Sequence, residues 1–318
     1  MEEKLAGRFL RKEFRVIGWL LVAYYVLMNL MVMVSVFADA LIGTLRSLAQ
    51  GRLNLEPNLQ AIQNNAWGYI AALAVGMLVL FVWKNRRFWG EQVFARKRSM
   101  TPGVFLAALC LCAGPQLVNS LWVTSLEWVL NQFGHSVMDV LESVSGTNDS
   151  VSMFLYAAIL APITEEILFR GWIQESLRPY GKKFAILGSA ILFGLFHGNL
   201  LQTPYAFLVG LVLGWVALEY SIYWAIGLHM FNNLVLADLM TRLLELLPQT
   251  AGELVNLVVL GGFTLAAVGI LIAKRREIRD YIRSEWMDRQ CLKWFFLNSG
   301  FIALLILMVI NGAMVLFI

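Results

Sequence analysis

The chain has 318 residues, of which 59% are hydrophobic and only 14% charged, a balance that excludes an ordinary soluble protein. Several apolar runs reach the ~20 residues that a spanning helix needs. The net charge of +4 does not point to nucleic acid, because 22 of the 25 Lys and Arg fall in four clusters on alternate loops: Lys4 to Arg15, Lys84 to Arg98, Arg170 to Lys183 and Lys274 to Lys293. That is the positive-inside pattern of a multi-pass membrane protein.

The sequence therefore predicts an all-α, polytopic transmembrane helical bundle of about eight to nine spans with a cytoplasmic N-terminus. Met1 to Arg15 reads as an amphipathic lead-in and Val16 to Phe37 as the first span. A basic start followed by an apolar run and Ala38-Asp39-Ala40 resembles a signal peptide, but the run is too long for a signal core of about 7–15 residues. It reads as an uncleaved anchor. Residues 40–65 form an external segment broken by Gly51 and Pro57. Ala66 to Trp83 is the second span, and Phe105 to Val123 the third, kinked at Pro115. Residues 124–150 contain no Lys or Arg, as an external loop should. Leu126, Val129, Leu130 and Phe133 suggest an interfacial helix there, and Asn148-Asp149-Ser150 is formally a glycosylation acceptor.

The fourth span begins near Val151 and runs on to about Leu177, with Pro179-Tyr180-Gly181 as the turn. Spans five, six and seven cover Phe184 to Asn199, Pro204 to Tyr220 and Ile222 to Leu239. Leu254 to Ala273 is the eighth and Phe295 to Ile318 the ninth. Gly210 and Gly214 form a GxxxG pair that reads as tight packing inside the chain. Cys110, Cys112 and Cys291 read as small packing residues, and Asn29, Asn119 and Asn311 as interhelical hydrogen-bonding residues. Three regions result: 1–150, an N-terminal membrane region; 151–240, a core; and 241–318, C-terminal spans around a basic loop.

The core carries the chemistry. Two of the chain's three histidines lie here, with Glu165, Glu166, Arg170 and Asn233. An ionisable group near a helix centre in the bilayer costs about 2.5–3.5 kcal/mol on insertion scales. Five of them in one stretch mark a site; structural ion pairing accounts for Glu166 and Arg170 but not for His197 and His229. Glu165 lies 16 residues before Gly181 and His197 lies 16 after it. Both thus stand roughly 24 Å from that turn. The same arithmetic brings His229 to nearly the level of His197. Phe193 with His197, Glu166 with Arg170, and His229 with Asn233 are each four apart and share a helix face. Glu165 and Glu166 point about 100° apart, so different jobs are expected of them.

A desolvated carboxylate is a candidate general base. Glu165 beside His197 could activate a water, Glu166 could fix Arg170, and His229 and Asn233 could meet a developing oxyanion. The reaction class is amide hydrolysis in or at the edge of the membrane.

These residues resemble the CPBP, or Abi, family of CAAX and bacteriocin-processing intramembrane endopeptidases. EExxxR matches Glu165 to Arg170, with Pro162 before it and Gly171 after it; FxxxH matches Phe193 to His197; HxxxN matches His229 to Asn233. The resemblance covers about residues 151–239. It implies that Glu165 and His197 activate the water, that His229 and Asn233 stabilise the oxyanion, and that Glu166 and Arg170 support them. It also implies an eight-helix-like bundle with a conical cavity open to cytoplasm and lipid. One departure is Leu218-Glu219-Tyr220-Ser221, where a TGS-like run is usual. No metal or other cofactor is expected. The alternative is a zinc site of Glu165, His197 and His229, although no HExxH helix is present. The expected partners are a membrane peptide or lipid-anchored protein substrate and the bilayer of a bacterial plasma membrane, with no nucleic acid. A scaffold or immunity protein without catalysis, and a proton-relaying transporter, are the competing classes.

Overall fold

The computed structural model describes residues 2–51, 65–137, 150–285, 287 and 289–317, and among them there are helices and no strand. The helices are α1 (Glu2–Ala49), α2 (Trp67–Trp83), α3 (Pro102–Asn131), α4 (Val151–Tyr180), α5 (Lys182–Phe196), α6 (Thr203–Glu219), α7 (222–245), α8 (Gln249–Ala273), α9 (Arg275–Ser284), α10 (Arg289–Phe296) and α11 (Ser299–Phe317). The chain is an integral membrane protein. By length and apolarity four helices can cross a bilayer: Leu10–Ala49 of α1, α3, α4 and α8. A fifth is gained if α10 and α11, bent by 54° at Leu297 and Asn298, act as one. Helices α2 and α6, at 17 residues each, are apolar but short. The expected eight to nine full-length spans are thus not all met by length, because turns and polar breaks shorten α2, α5 and α6.

Several boundaries differ from the sequence reading. Helix α1 runs unbroken through Ala38-Asp39-Ala40 to Ala49, so residues 40–49 are not an irregular segment. Gly51 ends it with φ +69°, a conformation natural only to glycine. Pro57, Asn148 and Asp149 lie outside the described residues. Pro115 interrupts α3 as expected, but the helix continues to Asn131, so Leu126 and Val129 extend that element rather than starting another.

Sequence explains the packing. In α1, Phe14, Ile17, Leu21 and Tyr24 recur at helical spacing and form its buried face. Phe14 meets the rings of Tyr180, Phe184 and Phe295, joining α1 to the α4–α5 turn and to α10. Where α1 crosses α11, Gly18 opposes Gly300. A Cβ on Gly18 would lie 2.5 Å from the Gly300 carbonyl carbon, so only glycine permits the crossing. Gly181 makes the α4–α5 turn with φ +111°. Cys110 is half-buried and Cys112 and Cys291 are buried, all as free thiols. Asn311 donates to Gly198 O across helices, whereas Asn29 bonds within its own helix, to Tyr25 O.

The GxxxG pair of α6 has a second purpose beyond close packing. Arg170 Nη2 donates to Gly210 O at 3.4 Å, and Gln174 Nε2 donates to Gly214 O at 2.9 Å. Two polar side chains one turn apart on α4 thus grip two carbonyls one turn apart on α6. With no side chain at either glycine, those carbonyls are within reach.

Candidate active site

Helix α4 is not a regular α-helix. Its turns loosen to π geometry over Leu155–Leu160 and again over Ile167–Gln174, and α7 does so over Asn232–Leu239. Such wide turns cost hydrogen-bond geometry and recur at functional sites. Glu165 and Glu166 end the α-helical stretch between the two wide segments of α4. Arg170 lies in the second segment, and Asn233 lies in that of α7.

Register brings the residues to one level. Phe169 and Phe193 each lie 12 residues from Gly181, and their rings meet at 5.2 Å. Ser189 Oγ donates to Phe169 O from the same face. In that symmetrical hairpin Glu165 stands opposite His197, and the Glu165 carboxylate is close enough for its charge to act on the His197 ring.

His229 is the centre of the cluster. Its Nδ1 lies 2.9 Å from Glu166 Oε1, and its Nε2 lies 3.9 Å from Glu165 Oε2. Arg170 Nη1 lies 3.0 Å from the same Glu166 oxygen. The two adjacent acids do have different surroundings, but they address opposite edges of one imidazole. Glu166 therefore does more than hold Arg170. An ionised carboxylate only accepts, so Nδ1–H of His229 donates to it, and this fixes the ring. Glu166 is fully buried, whereas the Glu165 side chain is 31% exposed. Glu165 is the acid that water can reach.

His197 ends α5. Its Nδ1 lies 2.9 Å from Phe193 O. A carbonyl only accepts, so Nδ1 carries the proton and Nε2 of the neutral ring keeps its lone pair. Phe193 organises both imidazoles: its ring meets His197 edge-on at 4.9 Å and His229 edge-on at 5.8 Å. The Arg170 guanidinium lies 4.2 Å from its centroid. A buried cation is thus neutralised on one side by Glu166 and covered on the other by a π face. Glu166 Oε2 and Arg170 Nε have no hydrogen-bond partner among the described residues.

Asn233 shares α7 with His229, but its amide is engaged elsewhere. It donates to Ala157 O at 3.1 Å and accepts from Asn232 Nδ2 at 3.2 Å. Tyr205 OH in turn donates to Asn232 Oδ1 at 2.7 Å. This chain of hydrogen bonds ties α4, α6 and α7 together behind the histidine. Asn232, Tyr205 and Gln174 were not anticipated. Gln174 had a signal, since 166, 170 and 174 form a polar stripe at a spacing of four. Asn232 and Tyr205 had none.

Among the described residues, no three His, Cys, Asp or Glu side chains are gathered so as to hold a metal ion. The acids and imidazoles instead form a proton-handling cluster: two carboxylates, one permanent cation and two rings with fixed Nδ1–H donors. Outside it, Asp238 and Arg242 pair at 3.1 Å as their spacing predicts.

Residues 147–235 match the family model described as Type II CAAX prenyl endopeptidase, Rce1-like, a stretch that includes every residue of this cluster. No curated protein and no solved structure matches the chain. With the three motifs in order on α4, α5 and α7, the segment 147–235 belongs to the CAAX-protease family, a family of endopeptidases.

Proposed function

We propose that the chain is an intramembrane endopeptidase that hydrolyses peptide bonds of membrane-associated or lipid-anchored substrates with a water activated by Glu165 and His197. The observation that carries this reading is the asymmetry of the two acids. Glu166 is sealed against Arg170 and His229, while Glu165 faces the same histidine with part of its carboxylate open.

In this mechanism Glu165 takes a proton from water while the lone pair of His197 Nε2 orients it. The water oxygen attacks the scissile carbonyl carbon, and the carbonyl oxygen becomes an oxyanion. His229 meets that charge. With Nδ1–H given to Glu166, it can donate from Nε2 only as the imidazolium, which two acids against one Arg favour. The C–N bond then breaks, and the proton held by Glu165 passes to the leaving amine. Asn233 serves first as a brace for α7, with its second N–H left to the oxyanion. Residues 151–240 form the catalytic core, flanked by the membrane regions 1–150 and 241–318. A cavity between α4, α5 and α7 admits substrate from the basic, cytoplasmic side of a bacterial plasma membrane.

The test compares native protein with Glu165→Gln and His197→Ala in membranes containing a lipidated peptide. Loss of cleavage in both, with normal insertion, supports the mechanism; full cleavage in either ends it. Native protein that cleaves no membrane peptide, but still performs its cellular task as Glu165→Gln, would indicate a scaffold or immunity role. Activity lost on chelation and restored by zinc would indicate a metalloprotease.

A further inference from the structure

A groove lies between α1 and α2 on the outer face of the bundle. Its deeper part, a cavity of about 90 Å³, is lined almost wholly by carbon: Leu20, Ala23 and Leu27 of α1, Val79 of α2, and the Trp172 ring of α4 behind them. It continues into a shallower hollow of about 230 Å³ that shares Leu20 and Trp83 and ends at Arg15. From Arg15 to Leu27 the groove spans roughly 18 Å, about the depth of one leaflet of a bilayer with a core of ~30 Å. Trp19 and Trp83 flank its basic end, both half-exposed. Trp19 is pinned there by its indole N–H, which donates to Ser299 Oγ. Indole rings at this level are characteristic of the headgroup boundary.

The end of the groove selects for charge. Arg15 is exposed and makes no ion pair among the described residues, while the neighbouring cation Arg11 lies over Trp294. Glu13, the nearest acid on α1, is about 200° round the helix and does not face the groove. Lys84 and Arg86 follow Trp83 at the same level.

We propose that an anionic phospholipid of the leaflet on the basic side occupies this groove. Its phosphate sits on Arg15, and one acyl chain lies along Leu20, Ala23 and Leu27 to the back wall at Trp172. The site is separate from the proton-handling cluster, and its occupancy does not depend on whether the chain cleaves peptides. It does bear on that cluster mechanically, since Trp172 follows Arg170 on the same helix by two residues. A lipid filling the groove would hold α1 and α2 against the wide turn of α4.

Native mass spectrometry of the full chain, with phosphatidylglycerol, phosphatidylcholine and a neutral lipopeptide as probes, tests this directly. Phosphatidylglycerol should be retained over the other two. Arg15→Gln should weaken its retention about fivefold, the effect of one basic residue at an anionic surface, and leave phosphatidylcholine unchanged. Ala23→Trp should fill the cavity and weaken both phospholipids. Lys274→Gln, at the same interface but away from the groove, should change nothing. Equal retention of the two phospholipids by native protein would overturn the proposal, as would full retention by Ala23→Trp. So would a loss in Lys274→Gln as large as in Arg15→Gln, which would mean diffuse attraction. Preferred retention of the lipopeptide would assign the groove to a substrate's anchor instead.

Discussion

Helices α4 to α7 and the helices around them solve opposite problems with similar apolar composition. In the outer group, α1, α2, α8 and α11, buried positions are almost all carbon, and close contact is made by bare glycine against backbone, as at Gly18 and Gly300. In the inner group the buried positions include Glu166, Arg170, Gln174, Glu175, Ser189, His229 and Asn232. Each of these costs free energy in a lipid environment. Their concentration in four consecutive helices, braced by backbone carbonyls of α6, teaches that the outer helices shield a polar centre that could not face lipid by itself.

The sharpest way to break this contrast is at Glu165. Glu165→Gln keeps the size and removes the base, and should lower peptide cleavage by about 10²–10⁴-fold with no loss of fold. A cleavage assay beside a melting curve in detergent checks both halves. An active variant would reduce the inner group to a structural network.

Arg170 comes next. Arg170→Met leaves Glu166 buried without its cation and should cost about 3–5 kcal/mol of stability. Arg87→Met removes an ion pair whose side chains are 80% and 64% exposed, and should have no measurable effect. Thermal unfolding of the two variants separates a buried charge network from surface pairing.

The glycines sharpen the comparison at smaller scale. A Cβ on Gly214 would lie 2.8 Å from Gln174 Oε1, so Gly214→Ala should disturb the α4–α6 grip and cost about 1–3 kcal/mol. Gly262 of α8 has open space around it, and Gly262→Ala should be neutral or stabilising by up to about 1 kcal/mol. Equal effects would mean that α6 glycines serve only helix propensity.

The smallest effect is expected at the junction of the two groups. Lys182, at the turn below α5, bonds Glu219 Oε1 at 2.9 Å, and Tyr281 of α9 donates to the same oxygen. The bond to Glu219 raises the Lys182 pKa above its ordinary 10.5. The charged form is the one favoured when folded, so the stabilisation is complete below about pH 10.5 and is lost as pH rises through the raised value. Labelling of a cysteine placed in α9 should therefore speed up only in strong alkali, and Lys182→Met should show the faster rate at neutral pH.

Much of the inner group was legible before any coordinates. The spacings of four linked Glu166 to Arg170 and Phe193 to His197, and equal distances from Gly181 put Glu165 and His197 at one level. Those inferences needed only the rise and period of a helix. Helical arithmetic could not foresee that α4 and α7 widen into π turns. It therefore missed that Glu165 and Glu166, about 100° apart on an ideal helix, grip one imidazole from opposite edges. It also overstated how freely Asn233 could act, since the acceptor it binds, Ala157 O, belongs to a distant turn. The boundaries of α1 and α3 were misplaced because a helix, once packed, continues through residues that would break it alone.

The amino-acid sequence by itself determined that this chain is a helical membrane protein with three ordered motifs, because hydropathy and periodicity are local properties. Only the tertiary structure decided which acid is sealed and which is open, and which nitrogen of each histidine carries a proton. Those outcomes depend on burial and on partners brought from other helices, and no stretch of sequence contains its own neighbours in space.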